Sequence, residues 1–172
     1  MDAMKVERIF FDMDGVLADF DRGVVELCGM KTPPGAKGWK PEDDDEMWAR
    51  IREVDHFYDR LEPMPGALDL FRLVHTKYKD RCEILTGIPK PKRGIVTAAE
   101  DKAAWMHRLF SEDVVVNAVI REDKPKFCKG PDCILMDDLK ANVTAWEELG
   151  GTGILHISAE RTIAALKQLG VL

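Results

Sequence analysis

The sequence predicts an α/β protein with a doubly wound, mostly parallel sheet covered by helices on both faces. Two observations support this fold class. Short apolar runs with the length of buried strands alternate with segments whose apolar residues recur at helical spacing. Most successive runs are also separated by a helical segment, which lets the strands run parallel. The main departure is residues 20–62, where a small helical cap is predicted between the first strand and the next core helix.

The first strand is predicted over residues 9–11, an apolar run that ends in Asp12, Met13, Asp14 and Gly15. In an extended backbone, residues i and i+2 point to the same side, so the carboxylates of Asp12 and Asp14 face one spot. Burying two like charges together is costly unless a cation or a proton compensates them. The stretch therefore indicates a functional site, with an acidic turn as the alternative interpretation.

The cap is predicted from three features of residues 20–62. Residues 19–28 form a helical pattern that ends at Gly29, and residues 31–41 form a loop rich in proline, glycine and lysine. Acidic residues 42–46 then begin a second helix, because acids offset the positive end of the helix dipole. Residues 1–19 and 63–172 make up the predicted α/β core.

The rest of the core follows from the same two patterns. Strands are predicted over residues 82–86, 114–120, 133–136 and 153–157, and helices over residues 67–78, 98–110, 141–149 and 159–169. The helix over residues 98–110 is expected to turn Ala103, Trp105, Met106 and Leu109 inward. With 172 residues, the chain is long enough for one domain with a real core.

Residues suited to phosphoryl chemistry stand at the ends of four predicted strands. In doubly wound sheets, ligands bind outside the carboxyl ends of the strands. Together, these strand ends predict a phosphoryl-transfer site. The residues, in chain order, are Asp12 and Asp14, then Thr86, then Lys124 with Lys126 as its competitor, and then Asp137 and Asp138.

Residues 12–20, Asp-Met-Asp-Gly-Val-Leu-Ala-Asp-Phe, resemble the first motif of the haloacid dehalogenase (HAD) superfamily. The order of an Asp-x-Asp, a threonine, a lysine and an acidic pair is similar to the pattern of that superfamily. Residues 17–20, 61–67 and 101–105 resemble more narrowly the 5′(3′)-deoxyribonucleotidases, a family related to cytosolic 5′-nucleotidases. The resemblance extends over residues 8–157 and implies a Rossmann-like HAD fold.

The resemblance also implies phosphomonoester hydrolysis. Asp12 would be the nucleophile that forms an aspartyl-phosphate, and Asp14 the general acid and base. Thr86 would donate a hydrogen bond to a phosphoryl oxygen. Lys124 would neutralise the charge of the transferring group, although Lys126 could fill the same role.

A magnesium ion is the implied cofactor, because an anionic nucleophile must approach an anionic phosphate. By resemblance, Asp12, the backbone carbonyl of Asp14, and Asp138 would bind Mg²⁺. Asp137 and Asn142 would support these ligands.

Four further residues are expected to contact the substrate. Gly87 leaves room for the backbone to approach it, and Lys90 matches a phosphate-side lysine of the resembling family. Phe20 and Trp39 are aromatic cap residues that could stack on a nucleobase.

The expected substrate is a deoxyribonucleoside 5′-monophosphate, with a sugar phosphate or another small metabolite as the alternative. The alternative stays open because the cap is short and because Leu139 stands where relatives carry arginine. A signalling receiver domain is the non-enzyme alternative. It is disfavoured because its acidic pair ends the first strand and its phosphoacceptor comes later, the reverse of the order here.

Net charge and composition limit the possible partners of the protein and its possible cellular compartment. A net charge of −6 argues against a nucleic-acid polymer as partner, because phosphate contacts need a basic surface. The four cysteines lack paired zinc spacing, and neither a signal segment nor a run of membrane-spanning length is present. We therefore expect a cytoplasmic protein that acts on a small phosphomonoester, and the sequence makes no prediction of oligomeric state.

Overall fold

The computed structural model describes residues 3–172. Met1 and Asp2 lie outside the described residues, and so does the start of the predicted core segment 1–19. Within the described residues, five parallel strands form one sheet in the order β3-β2-β1-β4-β5. The doubly wound α/β prediction is confirmed, and every pairing in the sheet is parallel. The strands are β1 Arg8–Phe11, β2 Cys82–Gly87, β3 Val115–Val119, β4 Cys133–Asp137 and β5 Thr152–Leu155.

Within residues 3–172, six α-helices lie where helical spacing predicts them, and the ends that were predicted differ by one residue at most. Short 3₁₀ segments, which the sequence does not predict because one turn carries no periodic pattern, join several elements. The helices are α1 Phe20–Cys28, α2 Pro41–Glu53, α3 Ala67–Tyr78, α4 Ala98–Leu109, α5 Lys140–Glu148 and α6 Ala159–Gln168. The 3₁₀ segments are Phe57–Arg60, Lys79–Arg81, Pro91–Arg93 and Arg121–Phe127.

The acidic run begins helix α2, as predicted. Pro41 occupies the first turn, where its missing N–H leaves no bond unmade. The Asp43 carboxylate accepts a hydrogen bond of 2.7 Å from the Lys40 backbone N–H. Glu42 and Asp44 also lie in this first turn and complement the positive end of the helix dipole.

Alternate side chains of β1 enter two different hydrophobic clusters. Ile9 and Phe11 belong to a large cluster that includes buried side chains of α3, α4 and α6. Phe10 points the other way, into a smaller cluster with Trp146 of α5. Helices therefore cover both faces of the sheet, and β1 is buried at its centre.

The chain leaves and re-enters the core at one place around residues 20–62. The Asp19 N–H donates to the Glu62 carbonyl at 2.8 Å, and the Met64 N–H donates to the Leu17 carbonyl at 2.8 Å. These bonds lie at the two ends of the predicted cap. Met47 of this segment is buried in the same cluster as β1, so the segment packs on the core. The division into a core and a cap stays a prediction.

Residues 56–61, at the end of this segment, are fixed against α4. The Trp105 indole N–H donates to the Leu61 carbonyl at 2.8 Å, and the Arg108 guanidinium donates to the Asp59 carboxylate at 2.8 Å. The His56 ring nitrogen Nδ1 lies 2.8 Å from Asp101 Oδ1. Three side chains of α4 thus hold one short stretch of the predicted cap.

Within residues 3–172, none of the helices has the length and apolar character needed to cross a membrane. The cysteines in this part of the chain all carry free thiols, three of them buried.

Candidate active site

The site begins where β1 ends, at the centre of the sheet. The Asp12 N–H donates to the Met136 carbonyl at 2.9 Å and so prolongs the pairing between β1 and β4. Because β2 and β4 flank β1, the residues at their carboxyl ends lie beside Asp12. Those residues are Thr86 on β2, and Asp137 with Asp138 at the end of β4.

The turn after Asp12 requires a glycine for two reasons. Gly15 has a φ of +81°, a conformation that side chains of L-residues rarely adopt. A Cβ atom on Gly15 would also lie 2.1 Å from Asp138 Oδ2, well inside contact distance. The glycine therefore lets the Asp138 carboxylate lie directly against the turn that carries Asp12 and Asp14.

Lys124 reaches Asp12 from the 3₁₀ segment that follows β3. Its Nζ donates to Asp12 Oδ1 and to Asp137 Oδ2, both at 2.9 Å, and its side chain is 4% exposed. Lys126, the competing lysine, is 74% exposed and pairs with Asp123 at 2.8 Å. The structure thus brings Lys124 to the acidic residues, whereas Lys126 lies at the surface.

The two carboxylates that contact Lys124 form a cluster with a third, that of Asp138. Oxygens of Asp12, Asp137 and Asp138 all lie within 4.8 Å of one another. Asp137 is already satisfied, because it accepts from Lys124, from the Asn142 side-chain amide at 3.0 Å and from the Leu139 N–H at 2.9 Å. The Asn142 amide and the Leu139 N–H therefore hold the Asp137 carboxylate in place, and Asp138 is more exposed than Asp137.

The electrostatics of this cluster favour a cation. Burial, followed by the charge of Asp12, raises the pKa of Asp138 to about 8. Burial and Asp12 also raise the pKa of Asp137, although Lys124 opposes them. Burial lowers the pKa of Lys124, but the charges of Asp12 and Asp137 outweigh it and raise the pKa overall. Three carboxylates thus lie together and only two of them contact Lys124, and an all-oxygen donor set of this kind fits Mg²⁺.

Asp14 lies outside the three-carboxylate cluster and faces a second buried lysine. Lys102 Nζ donates to Asp14 Oδ2 at 2.9 Å, to Thr86 Oγ1 at 2.9 Å and to the Gly87 carbonyl at 2.6 Å. The Lys102 side chain is fully buried. The two predicted residues Asp14 and Thr86 are therefore joined by a residue to which the sequence analysis assigns no role.

The signal that could have found Lys102 is its helical position. Ala98, Lys102, Trp105 and Met106 form the buried stripe of α4, at the spacing of one helix face. Of the residues expected to face inward, Trp105 and Met106 are fully buried and Leu109 is partly buried against the large hydrophobic cluster, whereas Ala103 is partly buried and is not part of that cluster. A lysine on the inner face of an amphipathic helix needs a buried partner, and Asp14 is that partner.

Two predicted substrate contacts lie near the end of β2. Gly87 has open surroundings, since an added Cβ would meet only Arg121 Cβ at 3.9 Å. Lys90 is exposed immediately before the Pro91–Arg93 turn. Contact of Gly87 and Lys90 with a substrate stays a prediction.

Phe20 and Trp39, the two aromatic candidates, are both partly buried. The Phe20 ring stacks on the Tyr58 ring, with 6.2 Å between centroids, and meets the Phe57 ring edge-on at 5.8 Å. The Trp39 indole N–H donates to Asp44 Oδ1 at 2.9 Å. Phe20 is thus part of an aromatic group next to Lys102, because Lys102 Nζ lies 4.5 Å from the Tyr58 ring centroid.

No protein-family model matches the chain. The fold is similar to that of a HAD-superfamily hydrolase from Ehrlichia chaffeensis, with a TM-score of 0.54 and 13% identity over 98% of this chain and 99% of that one. A hydrolase from Pseudomonas syringae gives a TM-score of 0.51 and 15% identity over 96% of this chain and 91% of that one. The chain therefore has the fold of the HAD-superfamily hydrolases.

Sequence similarity adds a narrower likeness. The chain is 26% identical over 134 residues to the human mitochondrial 5′(3′)-deoxyribonucleotidase, covering 68% of this chain and 57% of that protein. It is also 26% identical over 133 residues to the human cytosolic 5′(3′)-deoxyribonucleotidase, covering 68% and 64%. The chain spans less than two thirds of the length of either relative. The comparisons therefore confirm that the chain resembles HAD phosphatases and, more narrowly, the deoxyribonucleotidases.

Proposed function

We propose that the protein is a Mg²⁺-dependent phosphomonoester hydrolase that works through an aspartyl-phosphate on Asp12. The observation that carries the proposal is the group of residues around Asp12. A buried carboxylate at the end of the central strand touches Lys124 and lies within 4.8 Å of two further acids. Such a cluster is expensive to bury without a cation, and a phosphoryl-transfer site needs one.

The first step forms the aspartyl-phosphate. A carboxylate oxygen of Asp12 attacks phosphorus, the ester P–O bond breaks, and Asp14 gives a proton to the leaving oxygen. Lys124 stabilises the phosphoryl group through its positive charge and its remaining donor. Its contacts with Asp12 and Asp137 use two of its three N–H groups. The third N–H is available for a phosphoryl oxygen.

The second step releases phosphate. Asp14, now a carboxylate, takes a proton from a water molecule as that water attacks phosphorus. The bond between phosphorus and the Asp12 oxygen breaks, and Asp12 returns to its starting form. Water is consumed once, and the products are an alcohol and inorganic phosphate.

Asp12 and Asp138 would hold Mg²⁺ together with the Asp14 carbonyl, with Asp137 and Asn142 bracing them. The bound ion supplies charge neutralisation, so that the anionic nucleophile and the anionic phosphate can approach each other. Asp138 suits this role, because burial and neighbouring charges raise its pKa and make its ionised form dependent on a cation.

A nucleoside monophosphate, and first a deoxyribonucleoside 5′-monophosphate, is the proposed substrate class. The names of the two human relatives support it, as does Phe20, an aromatic side chain that is only partly buried and that stacks on Tyr58. Phe20, Trp39 and Lys90 are the proposed substrate-contacting side chains, with Gly87 at the backbone. A small sugar phosphate is the competing substrate, since the cap segment is short.

The test is phosphate release from a panel of monoesters, with and without Mg²⁺. The panel contains ribo- and deoxyribonucleoside 5′- and 3′-monophosphates, sugar phosphates and p-nitrophenyl phosphate. We expect Mg²⁺-dependent release, with a deoxynucleotide leading by about tenfold or more in kcat/KM. A leading sugar phosphate would contradict the nucleotidase assignment, and no release from any ester would contradict the phosphatase itself.

A further inference from the structure

Lys102 makes a complete set of contacts inside the protein. Its ammonium has three N–H donors, and Asp14, Thr86 and the Gly87 carbonyl accept one each, at distances of 2.6–2.9 Å. Its side chain has no exposed surface. A lysine held in this way has no donor left for a substrate, so its function has to be sought in the groups that it holds.

Stability alone does not account for this lysine. Removing an ammonium group from water costs several kcal/mol, and an apolar side chain of similar volume is often as stabilising or more so. The Asp14 charge and the Tyr58 ring face, 4.5 Å from Nζ, offset the cost of burial. Helix α4 already packs through Trp105 and Met106, both fully buried, so it does not need Lys102 as an anchor.

The contact with Lys102 distinguishes the two oxygens of Asp14. Oδ2 accepts the Lys102 hydrogen bond at 2.9 Å. Oδ1 is buried, and within the described part of the chain it has no hydrogen-bond partner. A buried carboxylate oxygen without a partner is costly in a folded protein, which indicates a role that needs it free. Oδ1 is therefore the oxygen that can carry a proton to and from the reacting groups.

The same lysine sets the direction of the Thr86 hydroxyl. Because Thr86 Oγ1 accepts a hydrogen bond from Lys102, its own proton must point elsewhere. The Gly87 carbonyl, at 3.5 Å, is a poor acceptor for this proton and already accepts from Lys102 at 2.6 Å. The hydroxyl is thus left able to donate to a phosphoryl oxygen.

We propose that Lys102 is a positioning residue for proton transfer, which holds Asp14 through Oδ2 so that Oδ1 exchanges the proton, and which turns the Thr86 hydroxyl toward the phosphoryl group. This inference rests on the proposed phosphatase function. Lys102 itself neither gives nor takes a proton in the cycle. Asp14 Oδ1–H protonates the leaving oxygen in the first step, and the same oxygen recovers a proton from water in the second.

The test compares how much activity the Lys102→Met variant loses on two kinds of phosphate ester. An alkyl phosphate leaves as a strongly basic alkoxide and needs the acid, whereas p-nitrophenolate leaves without protonation. The parameter is kcat/KM, which reports the step that breaks the ester bond. We expect a loss of up to about 100-fold on a deoxynucleoside monophosphate or glycerol phosphate. The loss on p-nitrophenyl phosphate should be about tenfold smaller or less, because with this ester only the orientation of the Thr86 hydroxyl is disturbed. Equal losses on both esters would overturn the inference.

A double-mutant cycle tests whether Lys102 acts through Asp14. Asp14→Asn should remove most activity on the alkyl ester, and adding Lys102→Met should then cost little more. If the fold-losses of the two single variants multiply in the double variant, the two residues act independently, and the proposal would also be overturned. Lys77→Met is the matched control, because Lys77 is an exposed lysine bonded to the Val171 carbonyl at 2.8 Å and has no part in the site.

Two readouts keep the test decisive. Circular dichroism shows whether Lys102→Met folds, and if it does not, Lys102→Leu carries the same comparison because it also removes all three donors. The wild-type protein separates this inference from the proposed function. If the wild type releases phosphate from neither ester, the phosphatase proposal fails. If it is active and both esters lose equally in the variant, only the role of Lys102 fails.

Discussion

Two buried lysines in the described part of the chain contact the acidic residues that follow β1, and they differ in what they face. Lys124 is shared by two carboxylates, Asp12 and Asp137, beside a third acid. Lys102 faces one carboxylate, Asp14, and two neutral oxygens. The Lys124 side therefore carries an excess of negative charge, whereas the Lys102 side is balanced.

This difference separates the two tasks of the proposed reaction. Excess negative charge suits the side that would bind a cation and perform nucleophilic attack. Charge balance suits the side where a carboxylate must exchange a proton without a metal competing for it. Lys124 keeps a donor for the phosphoryl group, and Lys102 keeps none. Buried lysines that look alike in the sequence thus have different neighbours and different proposed roles.

The largest expected effect comes from removing the nucleophile on the Lys124 side. Asp12→Asn should reduce turnover by roughly 10⁴-fold or more, because the amide cannot form the aspartyl-phosphate. Circular dichroism should show an intact fold, since the Asp12 N–H bond to Met136 is retained. Substantial turnover in a folded Asp12→Asn protein would contradict the nucleophile assignment.

The next effect concerns the lysine that touches the nucleophile. Lys124→Ala should reduce kcat by about 10²- to 10³-fold, the scale for removing one donor to a transition-state oxygen. Lys126→Ala is the matched control, two residues away and 74% exposed, and it should stay within about twofold of the wild type. A larger loss from Lys126→Ala would mean that the loop rearranges when substrate binds.

A smaller and more selective effect is expected at Asp138. Asp138→Asn should raise the Mg²⁺ concentration for half-maximal activity by about tenfold or more, because the acidic cluster loses one ligand charge. The measurement is a Mg²⁺ titration at saturating substrate. An unchanged requirement would count against Asp138 as a ligand and would weaken the contrast between the two lysines.

The smallest effect concerns the contact that holds residues 56–61 on the Lys102 helix. The hydrogen bond and charge of Asp101 raise the pKa of His56 above its ordinary value. A raised histidine pKa stabilises the folded state below pH 6.5, and the stabilisation is lost as pH rises through the folded pKa. The wild type should therefore lose thermal stability slightly between pH 6 and pH 9 relative to His56→Asn.

Asparagine is the matched replacement for this test because His56 has a φ of +52°, which asparagine tolerates. Differential scanning calorimetry at several pH values provides the measurement. Parallel curves for the wild-type and His56→Asn proteins would show that the His56–Asp101 pair makes no charge-dependent contribution.

The order of elements and the strand-end residues could be read from the sequence because both follow from local patterns. The apolar run before Asp12 predicts β1, and the doubly wound topology brings its end beside the ends of β2 and β4. The positions of Asp12, Thr86 and Asp138 therefore depend only on sheet order. No knowledge of side-chain packing was needed for these residues.

The lysines were harder to predict because each depends on contacts beyond its own element. Lys124 and Lys126 lie in the same 3₁₀ segment, which carries no periodic signal, so sequence alone left both open. Lys102 lies in a helix whose inner face was assigned from apolar residues, and charged residues were left out of that pattern. Its contacts depend on the packing of α4 against the end of β2, which no local sequence pattern specifies.

Trapping the aspartyl-phosphate tests most directly whether Asp12 is the nucleophile. Asp14→Asn is mixed with p-nitrophenyl phosphate and Mg²⁺ and quenched in acid, and its peptides are analysed by mass spectrometry. The first step needs no acid with this ester and the second lacks its base, so the intermediate should accumulate. We expect one phosphoryl group on the peptide that contains Asp12. Release of p-nitrophenol with no phosphoryl group on that peptide, or with one on another residue, would contradict the nucleophile assignment.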